Sequence, residues 1–201
     1  MLIGVGLGPG DPNLLTLEAV SVLKSATKVF VPGRVSYELA KPYSDPEMLT
    51  FPMTRNREEL SEAWDDNVKI ISKHAAVEKT AFGVLGDPNV FSTFSYVAAI
   101  IKKIQPQIPV ETVPGVSSIT ACLSRLNKSI GESFVVSDRS AVRSTIVLKA
   151  TNPREIAASL AREGFSDLKL LEAGFTERER CYERDFPARS EYFSIMWARR
   201  A

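Results

Sequence analysis

Strand-like and helix-like runs alternate along the N-terminal part of the chain, and this alternation most strongly limits the folds it can adopt. Segments with apolar residues at helical spacing separate short apolar runs that are typical of buried strands. The pattern predicts an α/β fold with a mostly parallel sheet and helices on its faces. The predicted strands are LIGVGL (2–7), KVFVP (28–32), TAFGVLG (80–86) and VETV (110–113).

Glycine turns follow three of these strands, within GVGLGPG (4–10), GDPNVFST (86–93) and PGVSS (114–118). In sheets of this kind, ligands bind beyond the carboxyl ends of the strands. We therefore expect the three turns to converge on one cleft. A glycine turn after a strand can also do no more than relieve crowding. For a single loop, that purely structural interpretation is equally good.

In the helices that flank these strands, the spacing of the apolar residues predicts which face of each helix packs inward. Asp11 is expected to cap the first helix, with Pro12 in its first turn. A long amphipathic helix is predicted over 58–79, and further helices follow the second and third turns. The inward residues predicted for the first and the long helix are Leu15, Ala19, Val22, Leu23 and Ala26, then Leu60, Trp64, Val68, Ile71 and Ala75.

The pattern changes near residue 128. Beyond it we predict one helix over 153–163, which begins after an Asn-Pro pair, and four strands. Two α/β domains are therefore expected, over 1–112 and 113–201, joined near PGVSS. The predicted strands of the second domain are SFVVSD (133–138), TIVLKA (145–150), LKLLEAG (168–174) and YFSIMWARR (192–200).

Composition disfavours several classes of function. The net charge of the 201 residues is +1, so no strong field attracts nucleic acid or an anionic membrane. We find neither an apolar run long enough to span a bilayer nor a signal-peptide pattern at the start of the sequence. Cys122 and Cys181 lie far apart, and no Cys/His cluster has metal-ligand spacing. Two reduced thiols in a cytoplasmic protein, and no bound metal, are expected.

The first turn does not fit the two familiar nucleotide-binding loops. A dinucleotide-binding fingerprint needs G-x-G-x-x-G, but Pro9 or Asp11 stands where the third glycine belongs. Proline lacks a backbone donor, and a carboxylate at that helix start would repel a diphosphate. No G-x-x-x-x-G-K-[ST] motif occurs either. A dinucleotide-dependent oxidoreductase and a P-loop protein are thereby disfavoured.

Three ordered motifs resemble the tetrapyrrole (corrin/porphyrin) methyltransferases: GVGLGPGDPNLLTLEAVSVLKSATKVFVP (4–32), GVLGDPNVFSTFSYV (83–97) and VETVPGVSS (110–118). The resemblance implies two α/β domains with S-adenosyl-L-methionine folded into the cleft between them, and a homodimer. The C-terminal part agrees more loosely with the family. There, VVSDRSAVRSTIVLKA (135–150) leaves almost no room for the helix that commonly separates two strands, so the second domain is expected to be shortened.

Within this family, four stretches are similar to the members that methylate C20 of precorrin-2 or cobalt-factor II in cobalamin biosynthesis. They are VFVP, FPMTRNREELSEAW, STFSYV and EYFSIMWARR. The resemblance implies C-methylation of a reduced tetrapyrrole, metal-free or cobalt-bearing. Alternatives stay open: methylation of another ring carbon, a distant substrate such as rRNA ribose or a diphthamide precursor, or a non-catalytic binding homologue. The near-neutral charge argues mildly against RNA.

The resemblance carries cofactor contacts onto the turns. In the C-terminal domain it implies an adenosine pocket lined by Leu148, Lys149 and Ala173. Asp87 and the two serines of PGVSS can equally be helix caps, a role compatible with ligand binding. The cofactor-binding residues implied in the turns are Pro9, Leu85, Gly86, Asp87, Val90, Ser92, Thr93, Ser117 and Ser118.

The carboxylates of a tetrapyrrole require basic side chains beside the cleft, since guanidinium groups bind carboxylates through paired donors. Arg34, Arg55 and Arg57 are the candidates, each weighed against an ordinary solvated arginine. Asp11 is the candidate catalytic residue, able to accept from pyrrole N–H groups or to take the proton released on methylation. His74, the only histidine, lies within a helix and is expected at the surface rather than as the base.

Overall fold

The computed structural model describes residues 1–51 and 57–200, with the backbone alone over 57–63. The chain forms two compact units, Met1–Ser133 and Phe134–Ala201. The sequence-based boundary after residue 112 differs from this division, because two hydrogen bonds hold the next segment on the first unit. The backbone N–H of Gly115 donates to the Asp87 carboxylate at 3.1 Å, and the Thr16 hydroxyl donates to the Pro114 carbonyl at 3.5 Å.

A five-stranded sheet forms the centre of the first unit, with the strand order β3-β2-β4-β1-β5. Its strands are β1 (Leu2–Gly6), β2 (Lys28–Val31), β3 (Pro46–Met48), β4 (Thr80–Val84) and β5 (Val110–Val113). Every adjacent pair is parallel. All residues of β1 and β4 are buried, as expected of a parallel sheet covered on both faces. The predicted parallel sheet is confirmed.

Four helices cover the two faces of this sheet: α1 (Leu17–Ser25), α2 (Arg34–Ala40), α3 (Arg57–Val77) and α4 (Thr93–Ile104). A fifth helix, α5 (Ser118–Arg125), follows β5 and has no buried residue. One hydrophobic cluster joins α3 and α4 to the sheet, and a second joins α1 and α2 to it. Leu2 of β1 belongs to the first cluster, and its neighbour Ile3 to the second. The alternation follows from the strand period of two, which sends successive side chains to opposite faces.

Most of the predicted inward helix residues do pack inward. The side chain of Leu60 lies outside the described part, and Trp64 is half-buried. Leu15, Val22 and Ala26 pack, partly buried, against the second cluster. The fully buried members of the predicted set are Ala19, Leu23, Val68, Ile71 and Ala75.

The first helix begins later than predicted. Asp11 caps only a 3-10 turn over Pro12–Leu14, where its carboxylate accepts from Asn13 N at 2.9 Å. The chain is extended at Leu15, and α1 is capped by Thr16, whose hydroxyl accepts from Ala19 N at 3.1 Å. The prediction missed this second cap, which is equally good in chemical terms. It also missed α2 and β3, which are short.

The second unit is built on a four-stranded antiparallel sheet with the order β6-β9-β7-β8. Its elements are β6 (Ser144–Leu148), α6 (Pro153–Arg162), β7 (Asp167–Glu172), β8 (Arg180–Tyr182) and β9 (Ser194–Arg199). Leu160 of α6 packs with Leu170 and Met196 of the sheet in a separate core cluster. The predicted helix and three of the four predicted strands are confirmed, so the chain has two α/β units.

The predicted strand SFVVSD is wrong. Residues 127–143 contain no regular element, although Val135 and Phe134 are exposed and strand-like in composition. Local side-chain bonds turn the backbone here: Arg139 N donates to Ser137 Oγ at 2.8 Å, and Ser140 N donates to Asp138 Oδ1 at 2.9 Å. Such bonds compete with strand pairing. The fourth strand of the sheet is instead β8, which the sequence pattern did not predict.

Candidate functional site

The three glycine turns meet at one place in the first unit, as predicted. The backbone N–H of Gly86 donates to the Gly8 carbonyl at 2.7 Å. A Cβ placed on Gly115 would lie 2.2 Å from the Gly86 carbonyl oxygen, and one placed on Gly6 would lie 2.4 Å from Gly115 N. The backbones are therefore in direct contact, and a side chain has no room at these two positions.

Strand order explains this convergence. In the order β4-β1-β5, three parallel strands end side by side, and each continues directly into one of the turns. Gly8 and Gly86 have φ values of 73° and 69°, which L-residues with a side chain rarely adopt. The turns thus expose main-chain groups at the carboxyl edge of the sheet, the usual ligand-binding edge of α/β folds.

Asp87 ties the second turn to the third. Its Oδ1 accepts from Asn89 N at 2.8 Å, while its Oδ2 accepts from Gly115 N at 3.1 Å. Asp87 is not the cap of α4, because Ser92 Oγ accepts from Phe94 N at 3.0 Å. Ser117 caps α5 by accepting from Ile119 N at 3.2 Å. Ser117 is therefore a helix cap, as the alternative interpretation predicted, whereas Asp87 is not.

Replacing Ser92 by alanine is expected to lower the free energy of unfolding by about 1 kcal/mol, since the first turn of α4 loses its cap. Ser92 is buried, so water replaces the lost acceptor poorly. Urea unfolding followed by circular dichroism measures the change. Ser25→Ala, at the exposed end of α1, is the matched control. Equal stability of the two variants would contradict the expectation.

A cleft beside the first glycine turn, the glycine-loop cleft, has a volume of about 830 Å³. The predicted residues Pro9, Asp11 and Ser118 line it. Both oxygens of Asp11 are engaged: Oδ1 accepts from the Asn13 backbone and side-chain amides at 2.9 and 3.0 Å, and Oδ2 from Arg125 at 3.4 Å. The full lining is Pro9, Gly10, Asp11, Leu14, Val116, Ser118, Thr120, Ala121, Cys122, Ser124 and Arg125.

Arg125 is a site residue that sequence reasoning missed. It ends α5 and reaches the Asp11 carboxylate, placing a cation at the glycine-loop cleft. In the sequence, the sign of it is a single arginine at the end of the predicted helix that follows the third turn. Such a residue also suits the negative end of a helix dipole, so the pattern alone does not single it out.

The second cleft of the first unit, the Arg34 cleft, has a volume of about 350 Å³. It brings Arg34 beside the predicted cofactor residues Leu85, Ser92 and Thr93. Val90 is exposed but lies outside the lining. Arg55 lies outside the described residues, as does the side chain of Arg57. The lining is Pro32, Gly33, Arg34, Val35, Ser36, Phe51, Trp64, Val84, Leu85, Phe91, Ser92 and Thr93.

The Tyr192 cleft lies in the second unit and has a volume of about 370 Å³. Leu148 and Lys149 line it as predicted, with Lys149 Nζ 5.2 Å from the Tyr192 ring centroid. A hydrogen bond to Tyr192 raises the pKa of Lys149. Ala173 is only 1% exposed, so its side chain belongs to the core. The lining is Leu148, Lys149, Leu171, Gly174, Phe175, Tyr192, Phe193, Ser194 and Ile195.

Ser194 borders this cleft, but its side chain is buried in the second unit. Its Oγ is inaccessible and has no hydrogen-bond partner among the described residues. A buried hydroxyl without a partner costs free energy unless a ligand or water satisfies it. Sequence reasoning missed Ser194 and Tyr192, although both stand in the strand-like run YFSIMWARR.

The remaining candidate groups lie elsewhere. His74 Nδ1 bonds to Glu78, and its ring packs edge-on against Phe30, so it is held within the α3 region of the first unit. Cys122 and Cys181 are free and exposed. Among the described side chains of residues 1–51 and 57–200, no three from His, Cys, Asp or Glu are grouped as metal ligands would be. Across the same ranges, no helix is long and apolar enough to cross a membrane.

The sequence profile of the tetrapyrrole (corrin/porphyrin) methylases matches residues 1–178. The chain therefore belongs to this family. The match includes all three glycine turns and most of the second unit, but it ends before Tyr192 and its neighbours, which line the Tyr192 cleft.

Two C(20)-methyltransferases are similar to this chain in sequence. A probable cobalt-precorrin-2 C(20)-methyltransferase of Methanocaldococcus jannaschii is 41% identical over 133 residues, which cover 62% of this chain and 56% of that protein. A precorrin-2 C(20)-methyltransferase of Sinorhizobium sp. is 29% identical over 142 residues, covering 61% and 56%. The chain thus matches little more than half the length of these relatives.

A solved structure shares the fold. The uroporphyrin-III-C-methyltransferase of Thermus thermophilus superposes with a TM-score of 0.54 at 21% identity, over 99% of this chain and 91% of that one. The two-unit α/β architecture predicted from the resemblance is therefore shown.

Proposed function

We propose that this protein is an S-adenosyl-L-methionine-dependent methyltransferase that acts on C20 of precorrin-2 or cobalt-factor II. The observation that carries the proposal is the convergence of three glycine turns tied together by Asp87. It supports a ligand held largely by backbone groups, where glycines allow close approach. Family membership and the similarity to two C(20)-methyltransferases support the substrate.

The residues present fit the cofactor. The walls of the Tyr192 cleft are aromatic and aliphatic, as suits a purine ring. In the first unit, Gly86 and Ser118 lie at the junction of the turns, where backbone N–H groups can bind the polar methionine part.

When bound, the cofactor supplies a methyl group on a positively charged sulfur, an electrophile that needs no protein nucleophile. The task of the protein is orientation, which can lower a barrier by about 7–11 kcal/mol. Asp11 is proposed to face the substrate, where its anchored carboxylate can accept from N–H groups or take the released proton. Arg34, Arg55 and Arg57 are proposed to bind substrate carboxylates.

Methylation assays test this proposal. Incubation with S-adenosyl-L-methionine and either precorrin-2 or cobalt-factor II is expected to add one methyl group, detected by mass spectrometry and placed at C20 by NMR. A methyl group at another carbon would identify a different reaction of the family. The absence of any methylated product, from a folded protein that binds S-adenosylhomocysteine, would overturn the catalytic assignment.

The last outcome would favour a second candidate function, a non-catalytic protein that binds the cofactor or a tetrapyrrole. Its supporting observation is the lack of regular structure over 127–143, together with the exposed apolar residues Ile146 and Leu148 on the sheet of the second unit. Calorimetric titration with S-adenosylhomocysteine beside the turnover assay separates the two candidates.

We further propose a homodimer in the cytoplasm, with a tetrapyrrole as its ligand and neither nucleic acid nor a membrane as partner. The free, exposed thiols of Cys122 and Cys181 support a reducing compartment. The resemblance to the family supports the dimer. Light scattering of the purified protein measures its mass, and a monomeric mass would contradict the dimer.

A further inference from the structure

We infer that Phe91 is a specificity-determining contact of the Arg34 cleft, where its ring packs on the flat face of a conjugated polycarboxylate. Arg34 would pair with one carboxylate of the same ligand. The inference deepens the proposed function and rests on it for the ligand's chemical class. Neither family membership nor the expected cofactor contacts assign a role to Phe91.

The backbone of Phe91 is the first observation. Its φ is 48°, in the left-handed region that glycine and asparagine adopt far more readily than a bulky aromatic residue. The strain persists because both neighbours are fixed. Val90 N donates to the Asp87 carbonyl at 3.2 Å, and Ser92 Oγ accepts from Phe94 N at 3.0 Å. The turn therefore forces one residue into this conformation.

The exposure of the side chain is the second observation. Phe91 is 69% exposed, so burial of its ring does little to offset the strain. A glycine here would relieve the backbone and remove an apolar surface from water. The structure thus keeps a large aromatic ring at a position where neither folding nor solubility favours it. Strained residues of this kind cluster at ligand sites.

The surroundings define what the ring would meet. Val35 and Leu85 are exposed apolar residues that line the same cleft. Arg34 is exposed, and it forms no ion pair with any described residue. An apolar wall beside an unpaired guanidinium complements a flat apolar molecule that carries carboxylates, because the ring supplies area and the guanidinium supplies paired donors.

Uroporphyrin, a stable conjugated macrocycle with acetate and propionate side chains, is the probe. Its fluorescence on titration with the purified protein gives a dissociation constant without requiring turnover. Phe91→Gly is expected to raise this constant at least fivefold while leaving the melting temperature unchanged or higher. The melting temperature is not expected to fall because glycine suits this backbone conformation better. A merely structural role of the ring predicts a lower melting temperature and unchanged binding. Phe91→Tyr, which keeps the ring, is expected to bind within twofold of the wild type.

Arg34→Gln is expected to weaken uroporphyrin binding at least fivefold and to reduce its dependence on salt. Ile104→Ala and Lys102→Gln, at the end of α4 and outside the cleft, are the matched controls. The inference is overturned if the wild type does not bind uroporphyrin, or if Phe91→Gly binds it as tightly as the wild type. A wild type that binds uroporphyrin but methylates neither tetrapyrrole would overturn the proposed function and leave this inference standing.

Discussion

Replacing Asp87 by alanine is expected to weaken the binding of S-adenosylhomocysteine more than tenfold, a loss of about 1.4 kcal/mol or more. The carboxylate holds the second turn to the third through Gly115 N and shapes the second turn through Asn89 N. Without it, both N–H groups lose their acceptor, and the backbone that we propose to bind the cofactor is no longer held in place. Isothermal titration calorimetry measures the dissociation constant directly.

Two further variants sharpen this experiment. Asp87→Asn keeps the shape of the side chain but puts an amide donor where one N–H needs an acceptor. Its affinity for S-adenosylhomocysteine is therefore expected to lie between that of the wild type and that of the alanine variant. Asp66→Ala removes an exposed carboxylate of α3 that pairs with Lys69, and the affinity of this variant for S-adenosylhomocysteine is expected to be unchanged. An unchanged dissociation constant for Asp87→Ala would refute the role of this residue in cofactor binding.

Gly115→Ala is expected to destabilise the first unit by about 3 kcal/mol, the upper end of ordinary overpacking in a dense interior. Its Cβ would lie 2.2 Å from the Gly86 carbonyl oxygen and 2.7 Å from Gly6 Cα. Both are backbone atoms, so no flexible side chain can move aside. A fall in melting temperature of roughly 6–12 °C is expected for a chain of this size. Differential scanning calorimetry measures it.

Gly131→Ala is the matched control for this prediction. No heavy atom lies within 4 Å of a Cβ placed there, and the residue belongs to the same unit. Its effect on stability is expected to stay within about 0.5 kcal/mol. If the two variants had the same melting temperature, the packing of the three turns would be looser than the distances indicate.

The parts of the fold that were predicted from sequence carry strong, local patterns. The strands β1 and β4 are short, mostly apolar runs that lead into glycine turns, β5 is bounded by two prolines, and α3 and α4 have clear helical spacing. Parallel pairing follows from the alternation of strands and helices, because a crossover helix returns the chain in the same direction. The meeting of the turns then follows from adjacent strand ends.

The parts of the fold that were missed depend on competition between alternative helix caps and between alternative strand pairings, and the sequence does not show which alternative forms. Asp11 and Thr16 are both good caps, and only the folded chain shows that α1 starts after the second. SFVVSD has the composition of a strand but finds no neighbour to pair with, whereas Arg180–Tyr182 pairs with Leu170–Glu172. Pairing is a long-range property, so composition alone cannot decide it.

The candidate site shows the same division. The resemblance pointed to Arg34, Leu85, Ser92 and Thr93, which share one cleft. It did not point to Arg125 or Ser194. Arg125 contacts Asp11, which lies 114 residues earlier in the chain, and Ser194 has a buried hydroxyl. Such features appear only once distant segments are brought together.

The contact among Gly6, Gly86 and Gly115 has a consequence for how this chain can vary. Gly6 and Gly115 are each closed to a side chain by main-chain atoms of the other turns, and Gly86 has a φ of 69°, so the three positions constrain one another although they belong to separate strand ends. No substitution at one position can be compensated by a smaller residue at the others, because glycine is already the smallest. We expect random mutagenesis to leave Gly6 and Gly115 unchanged in every folded variant, a signature that deep sequencing of a sorted library would detect.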